Sequence, residues 1–334
     1  MTLEHLEKIC NLLDLGNLVR KPERVYGGLL HVMWHVKTDK ASYAIKQLSK
    51  KIDLNNENII KNYELTENIA QRFSKRGIPA VSAVEKNGRH LISLGDTGFL
   101  VYPWVDAWAL KEGTISEQHA FKISEILSEI HQINLPVPET LENSTDTYTQ
   151  SSILELIHKA ENNGLPFCPD LRRYQKIILS INEDYLKAMR FLKNYTIVSH
   201  GDLDQKNVLW NKDKQPFLID WESACKINPT YDIINTAFYW SGISTDRFSP
   251  DLFVKMINTY KKAGGVIHIE YLEPAFLGTF HLLHWLFYNI ERSYSSMEPE
   301  WKALGIEQVN QTLSTIIRMK DIIQKLKPIL IKTL

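Results

Sequence analysis

The residues best placed to do chemistry lie close together in the second half of the chain. Asp202 and Asn207 stand five positions apart in the polar run "HGDLDQKN", and Asp220 follows at the end of the apolar segment "PFLID". Two carboxylates and an amide oxygen, each set beside a short apolar run, suit the orientation of a hydroxyl and the holding of magnesium. That ion takes few protein oxygens and leaves the rest of its shell to phosphate oxygens and water. Phosphoryl transfer asks for positioning and charge neutralisation rather than covalent help. On this reading Asp202 orients the acceptor hydroxyl and takes its proton, Asn207 and Asp220 hold the metal, and a lysine must reach the phosphates. Lys46, in "YAIK", is the candidate. Singly these residues mean little: Asp and Asn in loops often bond only their own backbone, and strand-end lysines lay their stems along apolar surface. Their combination carries the reading.

The elements that must position these groups can be read from periodicity. After a first helix in "LEHLEKICNLLDL", the segments "RVYGGLLHVMWHVKT" and "ASYAIKQL" read as two strands joined at "TDKA", the first interrupted by Gly27 and Gly28. Ile59, Tyr63, Thr66, Ala70 and Phe73 share a helix face over residues 57 to 76, closed by Gly77 and Pro79. Two further strands are expected at "RHLISLG" and "GFLVYPWV". From Thr114 the pattern becomes helical, with Thr114 and Glu117 as a capping box ahead of Ala120, Ile123, Ile126, Leu127 and Ile130. Residues 136 to 152 read as a polar surface loop, and "AFLGTFHLLHWLFYNI" as one buried helix too short and polar for a bilayer. The expected class is α+β: a small antiparallel-sheet lobe over residues 1–102, a connector at 103–106, and a larger, mainly helical lobe over 107–334.

The run "HGDLDQKN" with "DWE" beyond it resembles the signature of the aminoglycoside phosphotransferase family, whose members share the two-lobed protein-kinase-like fold. The resemblance extends to Gly27 and Gly28, "AIK", "LVYPWV", "LSEIHQINLP" and "YDI". It implies Asp202 as catalytic aspartate, Asn207 and Asp220 as Mg2+ ligands, and Lys46 on the α- and β-phosphates of ATP or GTP. Gly27 and Gly28 would cover the phosphates, and backbone from Tyr102 through Trp104 to Val105 would meet the base. His200 is then a support of the loop, and Asp232 a structural brace. A glutamate on the following helix should fix Lys46. At about 100° per residue, Glu67 lies about 80° from the centre of the apolar face and Glu64 about 140°, which favours Glu67.

Composition narrows the partners. Lysine plus arginine equals aspartate plus glutamate at 39 each, so there is no overall basic field of the kind that drives nonspecific nucleic-acid binding, and no nucleic-acid partner is expected. Three widely spaced cysteines make neither a disulfide framework nor a zinc site, and the start lacks the basic lead and apolar core of a signal peptide, so a cytoplasmic setting and no membrane partner are expected. Gly201 replaces the arginine of protein kinases, and eleven residues separate Asp220 from Asp232, too few for a long regulatory segment. A small hydroxylated acceptor is therefore expected. Aromatic residues at 238–242 and 280–294 suit a cation or a ring, although most at helical spacing belong to a core. Residues 233 to 300 hold seven acids against five bases, which does not point to a strongly anionic aminoglycoside pocket. An aminoglycoside, a choline- or homoserine-like metabolite, and a catalytically silent nucleotide-binding module all stay open at this level.

Overall fold

The computed structural model describes residues 2–25, 31–111, 114–137, 148–245, 247–295 and 298–333. In chain order the helices and strands are α1 Leu3–Leu13, β1 Glu23–Val25, β2 Val32–Lys37, β3 Ser42–Gln47, α2 Glu57–Ser74, β4 Ile92–Leu94, β5 Thr97–Pro103, β6 Trp108–Ala109 and α3 Glu117–Ile133. There follow α4 Gln150–Asn162, α5 Cys168–Leu192, β7 Ile197–Ser199, β8 Val208–Trp210, β9 Pro216–Leu218 and β10 Cys225–Ile227. The remainder is helical: α6 Pro229–Trp240, α7 Pro250–Lys262, α8 Leu272–Gly278, α9 Leu282–Ser295 and α10 Pro299–Thr333.

The chain forms two compact units. One comprises Met1–Thr114, Leu135–Leu141 and His200–Cys225; the other comprises Ile115–Asn134, Glu142–Ser199 and Lys226–Leu334. The linear division at residues 102 and 106 therefore differs from the contact division, which groups the stretch carrying Asp202, Asn207 and Asp220 with the sheet.

The first unit is built on an antiparallel sheet of order β1-β2-β3-β5-β4. The long first strand expected from "RVYGGLLHVMWHVKT" is instead two, β1 and β2, paired with Val25 opposite Met33. Gly27 and Gly28 lie outside the described residues. Along β3 and β5 successive side chains point to opposite faces, as the pleat requires. Ile45, Phe99 and Val101 pack against Leu6, Ile9 and Leu13 of α1. Leu100 and Tyr102 join Tyr63 of α2, with Leu48 and Leu91. With both faces covered, β5 is apolar and buried from Thr97 to Tyr102.

Helix α2 follows the expected face, with Tyr63, Thr66, Ala70 and Phe73 buried. Gly77, at φ +91°, lets the chain leave it. Glu64 fastens the helix to the segment before β4: its carboxylate accepts from the backbone amides of His90 (2.8 Å) and Leu91 (3.0 Å). The His90 ring adds a third bond at 3.1 Å.

In the second unit Ala120, Ile123, Ile126, Leu127 and Ile130 are all buried along α3, which packs on α6 and α7. The cap differs from expectation: Ser116 and His119 form the box, while Thr114 bonds its hydroxyl to Lys111. The run from Ala275 to Ile290 is α8 and α9 interrupted by a 3-10 turn at Thr279–His281, not one helix. Close packing of Gly278 on Tyr231, and bonds from His281 to the hydroxyls of Tyr231 and Tyr239, accompany the break. Of the span read as a loop, residues 138–147 lie outside the described residues, and Gln150 already begins α4. Of the aromatic residues at 238–242 and 280–294, Phe238, Trp240, Phe280 and Phe287 are core, while Tyr239, Trp285 and Tyr294 are half-buried and Tyr288 is exposed. Among the described residues no helix is long and apolar enough to cross a membrane.

Asp232 is buried and meets the Nε2 of His131 at 3.0 Å, while His131 Nδ1 bonds the Tyr260 hydroxyl at 2.7 Å. This chain ties α3, α6 and α7 together. Asp232→Ala would strand a buried imidazole, and a loss of about 2 kcal/mol or more in thermal or urea unfolding is expected.

A pH test follows from Glu64. Burial would raise its carboxyl, but the hydrogen bonds from the His90 ring and from the His90 and Leu91 amides outweigh it and hold the pKa below the ordinary 4.5. A depressed carboxyl stabilises the fold above its unfolded pKa and stops doing so as pH falls. Glu64→Gln should cost about 1–3 kcal/mol at neutral pH. Its deficit against the wild type should close as urea titrations are carried below pH 4.5.

Candidate active site

A hairpin explains the spacing between Asn207 and Asp220. Strands β8 and β9 pair with Val208 opposite Leu218, and the Ile219 amide donates to the Asn207 carbonyl at 3.0 Å. The thirteen-residue separation is therefore closed by the register, and both residues stand at the open end of one hairpin. The hairpin is tied to the segment after α2: the Leu218 amide donates to Pro79 and its carbonyl accepts from Val81.

Asp202 is set by its neighbours. His200, fully buried, accepts the Asp202 amide at Nδ1 (3.3 Å), so its proton sits on Nε2 and is donated to the Ile219 carbonyl at 3.0 Å. His200 thus links the loop to the strand that ends in Asp220. Gly201 lies at φ +78°, and a Cβ there would come within 2.1 Å of the Ser223 carbonyl. Only glycine fits. Asn207 donates its amide to the Asp202 carbonyl (2.8 Å) and to Asp202 Oδ2 (2.9 Å), inside the 3-10 turn Gln205–Asn207. The Asp202 side chain remains about one-third exposed.

Lys46 is buried on β3 and reaches into this same unit. Its ammonium lies 2.8 Å from Asp220 Oδ1 and 2.5 Å from Glu222 Oε1. The expected ion pair with Glu67 is not formed. Glu67 is buried on α2 as its position on the face implied, but its carboxylate accepts from the Tyr102 hydroxyl (2.6 Å) and the Ala83 amide (2.7 Å). Those bonds occupy both of its oxygens, and Lys46 acts on it only through space. Burial pushes the Glu67 carboxyl above its ordinary value despite these donors.

Glu222 takes the place expected of Glu67, and it was not singled out in the sequence. The signal was the acid of "DWE": Asp220 adopts a left-handed conformation at φ 62°, and the 3-10 turn Trp221–Ser223 brings residues 220 and 222 onto one ammonium. His31 bonds the second Glu222 oxygen at 3.3 Å. Burial opposes the charge on Glu222, but the His31 hydrogen bond and the Lys46 charge bring its pKa down to about 2. Burial likewise opposes the Lys46 ammonium, and the carboxylates of Glu222 and Asp220 hold its pKa above the ordinary lysine value.

The segment expected to meet a nucleobase is sharpened by the ladder. Tyr102 is in register with Ala44, and the Trp104 amide donates to the Ser42 carbonyl at 3.0 Å, so both face β3. Antiparallel alternation then turns the Pro103 carbonyl, at the end of the strand, the other way. The Trp104 ring is stacked on His35 at 3.8 Å, and the Tyr102 ring is buried against Glu67.

The donor set fits magnesium. Because Asn207 uses its NH2 on Asp202, its Oδ1 is the atom left for a cation, and Asp220 keeps Oδ2 beyond its bond to Lys46. Among the described residues there is no group of three His, Cys, Asp or Glu side chains arranged for a metal.

Comparison with known proteins bears on this arrangement. No curated protein matches the sequence. Among solved structures the chain is similar to a spectinomycin phosphotransferase in complex with ADP and spectinomycin, at 12% identity, TM-score 0.69, covering 94% of this chain and 98% of the other. It is also similar to a choline kinase from Streptococcus pneumoniae (17%, TM-score 0.56, 93% and 99%) and to a Plasmodium vivax ethanolamine kinase (16%, 0.56, 90% and 83%). The fold is thus the protein-kinase-like one expected from the signature. Residues 25–262 match the pattern of the phosphotransferase enzyme family, and the chain belongs to that family.

Proposed function

We propose that this chain transfers the γ-phosphoryl group of ATP or GTP to a hydroxyl of a small acceptor molecule. The observation that carries the reading is the single network in which Asn207 orients Asp202 while Lys46 pairs with Asp220, all within one folded unit. Asp202 accepts the Asn207 amide on Oδ2, which leaves Oδ1 to take the acceptor hydroxyl and, as the new bond forms, its proton. Lys46, kept charged by two carboxylates, contacts the nucleotide phosphates. Magnesium on Asn207 Oδ1 and Asp220 Oδ2 would neutralise charge on the phosphate oxygens when bound. The Pro103 carbonyl and Val105 amide, an acceptor and a donor two residues apart, suit the edge of adenine or guanine.

Family membership supports a small-molecule substrate, and the structural neighbours include proteins named for spectinomycin, choline and ethanolamine. The acceptor is accordingly a small hydroxylated molecule, an aminoglycoside-like or amino-alcohol compound being the first to try. The test is a magnesium-dependent nucleotide-consumption screen over aminoglycosides, macrolides, choline-like amines, amino alcohols and sugars. Asp202→Asn should lower turnover with the accepted compound by about 10²–10⁴-fold, the usual contribution of a positioned general base, with nucleotide affinity little changed. Wild-type protein that binds nucleotide and turns over none of these acceptors would instead identify a silent binding module.

A further inference from the structure

Lys206 departs from what a surface lysine ordinarily does. Its side chain is two-thirds exposed, yet the ammonium folds back over its own loop, 3.3 Å from Asp202 Oδ2 and 3.0 Å from Asp204 Oδ2. Holding a long, exposed side chain in one place costs rotamer entropy that a surface ion pair barely offsets. Asp204, by contrast, is mostly buried, and both of its oxygens serve Lys206: Oδ1 takes the Lys206 backbone amide at 2.8 Å and Oδ2 takes the ammonium. Its carboxylate thus does two things: one oxygen caps the 3-10 turn Gln205–Asn207, and the other holds the Lys206 ammonium beside Asp202.

The position of that ammonium has a chemical consequence. The Asn207 amide and the Lys206 ammonium both lie on Asp202 Oδ2, so the cation stands beside the oxygen pair that would receive the acceptor proton. An ammonium has three donors, and two are engaged by Asp202 and Asp204. The phosphoryl group must pass to a hydroxyl held on Asp202, and would otherwise approach through the field of two adjacent carboxylates.

We propose that Lys206, positioned by Asp204, is a second cationic contact for the transferring phosphoryl group; the proposal rests on the phosphotransfer reading of this site. In the step concerned, the bond from the γ-phosphorus to the bridging oxygen breaks and its electron pair stays with the nucleoside diphosphate. The acceptor oxygen bonds to phosphorus and its proton passes to Asp202. Lys206 contacts the γ-oxygens and Lys46 the inner phosphates, so the two cations divide the chain of phosphates between them. Asp204 is a positioning residue.

The test is binding, which needs no knowledge of the acceptor. Affinities of Mg2+ with a non-hydrolysable ATP analogue and of Mg2+ with ADP are measured by calorimetry for the wild type, Lys206→Met, Lys206→Arg and Asp204→Asn. Lys206→Met should weaken the triphosphate analogue about tenfold and leave ADP within about twofold, because only the γ-phosphoryl has lost its partner. Lys206→Arg should restore most of the preference. Asp204→Asn should lose part of it, and Asp204→Asn added to Lys206→Met should lose nothing more. A general fold defect would lower both affinities together, and that result, or an unchanged ratio in Lys206→Met, overturns the role of Lys206. Wild-type protein that binds neither nucleotide overturns the phosphotransfer reading itself and the proposal with it.

Discussion

A buried ammonium organises the first unit. Lys46 sits on the central strand of a sheet covered on both faces, with its side chain 8% exposed, and it is tolerable there only because Asp220 and Glu222 meet it at hydrogen-bond distance. Removing a charge from water costs several kcal/mol, of order what whole domains have in reserve, so the carboxylates are obligatory partners. They come from 174 and 176 residues further along. The pairing therefore fixes β3 and the stretch after β9 as parts of one structure.

That constraint spreads through the hairpin. Since Asp220 must meet Lys46, the β8–β9 register places Asn207 beside it, and Asn207 in turn sets Asp202. His200 closes the loop from the other side by bonding both the Asp202 amide and the Ile219 carbonyl. Gly201 is required because Ser223, on the turn that carries Glu222, lies against it. The candidate catalytic residues are held by backbone bonds and packing.

The glutamates illustrate how far sequence reasoning reaches. Helical periodicity correctly turned Glu67 inward and left Glu64 at the margin, and burial in the structure follows that order. Periodicity describes which way a side chain points relative to its own helix. It says nothing of competitors, and the Tyr102 hydroxyl and Ala83 amide reach Glu67 while Glu222 reaches Lys46. The same limit applies to Trp104: its place in an apolar run was clear, but ladder alternation decided which backbone groups of that run stay outward. In the helical unit the apolar stripe of α3 was legible, whereas the break between α8 and α9 depends on contacts of Gly278 and His281 with α6.

The sequence by itself determined the identities and order of the reactive groups, the α+β class and the faces of the main helices. These depend on local periodicity and on short motifs, which are properties of neighbouring residues. Tertiary structure alone decided that Lys46 pairs with Glu222 and Asp220 and that Glu67 serves Tyr102. The reason is that a carboxylate or ammonium takes whichever partner the fold brings within about 3 Å, and most of these pairs join strands, helices and turns that are remote in the chain.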